Sequence, residues 1–320
     1  MTTKEREQNV FERKMLEKAP LRDYGFHKIF DLTTNDGREC IRFLLRSICG
    51  MNEKEIEVLL PKRYESEKGE KKNSESDIRI IVDKKYRVII EMQLVVTKEF
   101  LLRSGFYAAS EVANQLDGSD KHIELMQTVI ICIMDEVRID DKDEVNYLKS
   151  YRMRNEEGEE RIGFPYVYDV YLGNLVNKEI DFESYDIETI LAVFARVMYN
   201  KDDERFKDKV KQYIINGEGI LMSGLDRITD KIEHLCSNEE EKERLIKEYW
   251  DYQTQKGIER ELKNEGREEG RKEGIEEGIE KALHENIVRM HSKGKSVEEI
   301  VDLLGTTVEK VNDVLRSVKW

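Results

Sequence analysis

Asp77, Glu91 and Gln93 are polar exceptions in two otherwise largely apolar runs, DIRIIV (77–82) and YRVIIEMQ (86–93). Side chains alternate between faces along a strand. If residues 83–85 form a hairpin loop, Val82 pairs with Tyr86, and counting back sets Asp77 directly opposite Glu91 on one face. Gln93 then falls on that same face, whereas Ile80 and Val82 share the other with Val88, Ile90 and Met92. A loop one residue shorter would break this pairing. Two carboxylates held a few ångströms apart repel one another unless a cation or a proton sits between them. Mg²⁺ suits such a pair, because it takes one or two carboxylates, keeps several waters and accepts phosphate oxygens. So bound, it polarises a phosphate and acidifies an attacking water. Gln93 is neutral; it could orient that water or a phosphate oxygen but supplies no positive charge.

The elements that must position these residues follow from the surrounding pattern. CIRFLLRSICG (40–50) reads as a helix ended by glycine, and EIEVLLPKRY (55–64) as a short strand before a polar, lysine-rich loop over 65–75. Thr97 caps a helix from Lys98 to about residue 117. TVIICIMD (128–135) is a continuous apolar run, as in a central strand covered on both faces, and YVYDVYLGNL (166–175) reads as another strand. The order helix, strand, strand, strand, helix, strand predicts an α/β fold, a mixed sheet flanked by helices. Further toward the N-terminus, Asp23 reads equally as a helix cap or as an acid facing a metal from the chain's first helix. Arg103, Tyr107, Ser110 and Asn114 recur at helical spacing as one polar face, either solvated or in contact with phosphates. His27 and His122 are lone histidines with a structural reading, and Asp135 ends a buried strand, either bordering a site or starting a turn.

With 320 residues, 39% hydrophobic and 38% charged, the chain has the composition of a soluble globular protein. No run approaches the ~18 apolar residues of a membrane span. The N-terminus is charged throughout and has no secretory apolar region, so the expected location is the cytoplasm. The four cysteines, Cys40, Cys49, Cys132 and Cys236, form no C-x-x-C pair and read as reduced thiols. A net charge of −14 argues against a protein that coats DNA passively with a basic stripe. It leaves room for an enzyme that grips DNA locally.

SDIRIIVDKKYRVIIEMQ (76–93) resembles the core of the PD-(D/E)XK nuclease superfamily, and in detail it is similar to the bacterial Rpn family of recombination-promoting nucleases, also called PD-(D/E)XK family transposases. DYGFHKIF (23–30) resembles the family's N-terminal D-x-x-F-K-x-x-F signature, with His27 followed by Lys28 where lysine is common. FLLRSGFYAASEVANQL (100–116) matches its helix carrying Arg, Tyr and Gln, and the two later apolar runs match its later strands. The resemblance covers residues of about 20–180. It implies a restriction-endonuclease-like fold, metal ligands at Asp77 and Glu91, a catalytic position at Gln93, and Mg²⁺ or Mn²⁺ as cofactor. It also implies DNA as substrate and a setting in recombination, mobile-element movement or defence. The superfamily usually has lysine where Gln93 stands, which leaves the source of positive charge open among Arg79, Lys28 and Arg103; Asp23 and Tyr107 join them as candidate supporting or DNA-contacting residues. The rival reading is a catalytically inactive DNA-binding or oligomeric adaptor that retains the fold.

These readings divide the chain into a nuclease-like core (1–182), a helical extension (183–256), a glycine-punctuated charged segment (257–281) and a small helix-turn-helix-like module (282–320). Glycines at 266, 270, 274 and 278 each cost a helix interior about 1 kcal/mol relative to alanine. The stripe reads either as a helix contact, for instance within a homodimer, or as a flexible tether. Ser296 with Glu299 forms a capping box, and Gly305 separates two short helices. Mixed charges on the last helix leave DNA contact and protein packing both open.

Overall fold

The computed structural model describes residues 12–59, 63–64, 74–75, 77–115, 125–137, 146–161, 163–200 and 204–317. In chain order a 3-10 turn, Ala19–Leu21, leads into helices α1 (Asp23–Ile29) and α2 (Asn35–Cys49). Strands β1 (Ile56–Val58), β2 (Arg63–Tyr64), β3 (Ser74–Glu75), β4 (Ile78–Val82) and β5 (Tyr86–Val96) follow, then helix α3 (Lys98–Ala113) and strands β6 (Gln127–Val137), β7 (Leu148–Tyr151) and β8 (Tyr166–Tyr171). Helices α4 (Leu172–Val176), α5 (Ile187–Tyr199), α6 (Glu204–Asn216), α7 (Ile220–Ser237), α8 (Glu239–Ser292), α9 (Val297–Leu304) and α10 (Val308–Ser317) complete the chain.

The main sheet has the order β1-β4-β5-β6-β8-β7, while β2 and β3 pair with each other. Strands β5, β6 and β8 run parallel, and β1, β4 and β7 join antiparallel. This is the mixed α/β sheet with flanking helices that the sequence predicts. One face, with Ile78, Ile80, Val82, Val88, Ile90, Val129, Ile131 and Ile133, packs into the main core with α1, α2, α5, α6 and α7. The other, with Ile89, Ile130, Cys132 and Met134, packs beneath Phe100, Tyr107 and Ala108 of α3. Each fully buried Leu, Ile or Phe contributes roughly 1.5–3 kcal/mol, so the sheet is fixed mainly from its first face.

Local signals set the helix ends. Thr34 and Thr97 accept hydrogen bonds from Gly37 N and Phe100 N, and Gly50, at φ 66°, ends α2. Helix α2, expected over 40–50, starts earlier, because the cap lies at Thr34. The run YVYDVYLGNL is strand only to Tyr171; Leu172–Val176 turns helical, with Leu172 and Leu175 buried. Strand β7 went unanticipated. Helix α3 ends at Ala113, and His122 and most of the loop over 65–75 lie outside the described residues.

The chain divides into two compact units, Met1–Trp250 and Asp251–Trp320. In the second, Ile287, Ile300 and Val311 form a small core with Leu283, Met290, Val297, Leu304 and Val314. Ser296 and Glu299 form the expected capping box, and Gly305 at φ 60° ends α9. The glycine-punctuated segment is helical, as part of the 54-residue α8. No described helix is long and apolar enough to cross a membrane.

Candidate active site

The hairpin has the register that brings the two acids together. Val82 pairs with Tyr86, and the ladder continues to Ile78 opposite Ile90. Asp77, one residue further, therefore stands at the level of Glu91. Its Oδ2 accepts the Met92 N–H at 2.7 Å, which ties the end of β4 to β5. Glu91 is 5% exposed, and its Oε1 has no hydrogen-bond partner. A buried carboxylate oxygen without a donor is costly, and a cation shared with Asp77 would satisfy it. Carboxylates with a nearby imidazole are a donor set that a divalent ion fits.

Helix α3 lies over this face and brings Arg103. Its Nη2 donates to Gln93 Oε1 at 3.3 Å, while Gln93 Nε2 donates to the Val95 carbonyl at 3.0 Å. Gln93 thus holds an arginine beside the acids. The guanidinium also lies 5.4 Å from the Phe100 ring centre and 6.0 Å from that of Tyr107. Tyr107 is buried, which removes it from any solvated face; Asn114 caps the end of α3.

Helix α1 supplies two more groups. Asp23 lies within its first turn, and the N-cap is Arg22. Gly25 allows α1 to lie close against the preceding turn, since a Cβ there would come 2.2 Å from the Ala19 carbonyl oxygen. One ligand atom each from Asp23, His27 and Asp77 lies within 4.8 Å of the others. The Asp23 carbonyl oxygen is 2.9 Å from His27 Nδ1, and a carbonyl only accepts, so Nδ1 carries the proton in that bond.

Electrostatics follow from this packing. Burial raises the Asp77 carboxyl above the usual range, against the pull of the Met92 N–H. Burial raises Glu91 further, aided by repulsion from Asp77 and opposed by Arg103. The Asp23 carboxylate pushes His27 up to about 9, so without a bound metal an imidazolium faces Asp77 at neutral pH.

The other predicted residues are placed differently. Arg79 Nη2 donates to both Glu111 oxygens at 2.8 and 2.9 Å, and Arg87 joins the same carboxylate at 2.9 Å. Burial opposes ionisation of Glu111, but the two arginines outweigh it and hold the carboxyl below its ordinary range. Lys28 reaches Glu241 at 3.2 Å. Asp135 bonds Lys18 at 2.7 Å and the Tyr199 hydroxyl. It shares the alternation of Ile131 and Ile133, and so lies on the opposite face from Glu91.

Sequence reasoning missed three residues here. Glu111 fixes α3 to the strands. Asp169 is aligned with Cys132, which is aligned with Glu91, so the three form one row across the sheet. Burial pushes Asp169 up to about 6. His27, a lone histidine in the sequence, lies beside Asp23 and Asp77, and its i, i+4 relation to Asp23 on a helix is the sequence signal of the first of those contacts.

Neither curated proteins nor solved structures give a match to the chain. Residues 20–244 match the family model described as PD-(D/E)XK nuclease family transposase, a span that takes in the sheet, both acids, α1 and α3. On that match, over more than half its length, the chain belongs to the PD-(D/E)XK nuclease family transposases.

Proposed function

We propose that this protein is a divalent-metal-dependent DNA endonuclease that hydrolyses phosphodiester bonds, with Asp77 and Glu91 as metal ligands and Gln93 at the third catalytic position. The observation that carries the reading is the unpartnered Oε1 of buried Glu91 beside Asp77. Bound there, Mg²⁺ or Mn²⁺ supplies Lewis acidity toward the phosphate and an acidified water. Asp77, anchored by Met92, and Glu91 provide the charge that holds the ion. Gln93 orients Arg103, and Arg103 takes the place of the usual lysine by donating to phosphate oxygens as charge builds on them. Arg79 and Lys28 are less suited to that task, since Glu111 and Glu241 engage them. The family points to recombination or mobile-element movement as the setting. The charged composition, with no described membrane-spanning helix, is in keeping with action in a bacterial cytoplasm.

Plasmid nicking tests the proposal. Supercoiled DNA should be nicked with Mg²⁺ or Mn²⁺ and not with EDTA, and Asp77→Ala and Glu91→Ala should each reduce the rate by at least about 10²-fold. Nicking that persists unchanged in both variants would refute the assignment.

A further inference from the structure

We infer that His27 is a metal ligand that, with Asp23, Asp77 and Glu91, makes this site prefer a divalent transition ion such as Mn²⁺ over Mg²⁺. The inference rests on the nuclease reading for the ion's presence and goes beyond it in naming a nitrogen ligand and the ion it selects. Three observations carry it. Ligand atoms of Asp23, His27 and Asp77 lie within 4.8 Å of one another. Glu91 stands outside that trio but next to Asp77 in the hairpin, and its buried Oε1, which has no partner, is the further oxygen the ion would draw on. Finally, His27 donates Nδ1–H to the Asp23 carbonyl at 2.9 Å. Nδ1 also lies 3.4 Å from Asp23 Oδ1; with its proton held by the carbonyl, Nε2 is the nitrogen with a lone pair to offer, and a ring N–H held by a carbonyl is the usual support of a metal-bound histidine.

The ligand chemistry then decides between ions. Mg²⁺ demands near-ideal octahedral geometry, dehydrates reluctantly and is usually held by one or two carboxylates with several waters. Three carboxylates and an imidazole would displace more water than Mg²⁺ readily gives up. Mg²⁺ is held through oxygen and gains least from an imidazole nitrogen, whereas divalent transition ions accept it, with Mn²⁺ at the foot of a series along which affinity rises. Half-exposed His27 on α1 is free of the packing demands that fix the ligands on the sheet. It can therefore be changed without emptying the core.

The test measures binding on the full chain, not cleavage. Mn²⁺ binding is followed by loss of the free-ion electron paramagnetic resonance signal, Mg²⁺ binding by competition against it, and nitrogen ligation by ¹⁴N modulation in the electron spin echo. The wild type should bind Mn²⁺ about tenfold or more tighter than Mg²⁺ and show ¹⁴N modulation. His27→Ala should lose the modulation and weaken Mn²⁺ by about tenfold, with Mg²⁺ nearly unchanged. His27→Asn should behave likewise, which separates lost ligation from a local packing defect. Unchanged modulation in His27→Ala, or equal loss of both ions, overturns the inference. Intact binding in Glu91→Ala and Asp77→Ala would instead remove the site itself, and with it the nuclease reading.

Discussion

The carboxyls of Asp77 and Glu91 are raised above their ordinary values chiefly by burial, and that carries a cost in the metal-free protein. A carboxyl whose folded pKa exceeds its unfolded value stabilises the fold while protonated. That stabilisation is complete below the unfolded value, about 4.3 for glutamate, and is lost as pH rises through the raised folded value. The metal-free chain should therefore lose stability from about pH 4.3 upward, and added Mn²⁺ should restore it by binding the ionised pair. Glu91→Gln keeps the shape and removes one charge. It should flatten the pH dependence, stabilise the metal-free protein at alkaline pH, and abolish the metal-induced rise in Tm. Thermal melts across pH, with and without Mn²⁺, check all three; a steeper pH dependence in the variant would contradict the argument. Asp77, Glu91 and Gln93 were legible in the sequence because a three-residue loop and strict alternation fix which residues share a face. Asp169 was not, because its alignment depends on two parallel pairings across separate strands, and parallel register leaves no local mark.

Between strands and helix, the Arg79–Glu111–Arg87 cluster is the fastening. The side chains of Arg79 and Glu111 are 8% and 1% exposed, so neither charge can turn to water if the other is lost. Removing one partner of a buried pair costs about 3–5 kcal/mol, mostly from the charge left behind. Glu111→Ala should destabilise the protein by about that amount in urea titrations. The variant should also cleave more slowly, because α3 carries Arg103. A loss below about 0.5 kcal/mol would show that the arginines find other partners. The glycines of α8 behave differently. A Cβ at Gly266, Gly270, Gly274 or Gly278 meets nothing within 4 Å, so Gly→Ala at all four should stabilise the helix by up to about 1 kcal/mol each. A fall in stability would reveal a close helix contact, of the kind a homodimer makes. The central strands and α3 were readable because their apolar runs are long and capped. Strand β7 was not: LKSY is short and half-polar, and pairing with β8 at the sheet edge, not its own pattern, makes it a strand. Likewise Leu172–Val176 continues an apolar run without a break, and tertiary burial of Leu172 and Leu175 turns it into helix.

The molecule as a whole keeps its candidate chemistry in one unit. The family match ends at residue 244, and the first compact unit ends at Trp250. The opening turns of α8 belong to that unit by contact: Leu245 is buried in the main core, Glu241 pairs with Lys28, and Glu248 accepts the Tyr24 N–H at 2.8 Å. The second unit has its own core of Ile287, Ile300 and Val311 and holds α10 to α8 through Lys310 and Glu280 at 2.8 Å. A chain ending at residue 256 therefore loses none of the buried contacts of the first unit. Its stability should change by no more than about 0.5 kcal/mol, and it should still nick plasmid at the basal rate. Under the adaptor reading, in which the C-terminal helices do the work, the same deletion should abolish function in cells and leave no activity behind. Nicking by 1–256 at the rate of the full chain supports the enzyme reading, whereas no nicking by either chain, with function in cells lost on deletion, supports the adaptor. Loss of cutting with the fold intact would place an essential part of the enzyme in residues 257–320, whereas retained cutting assigns that segment to targeting or assembly.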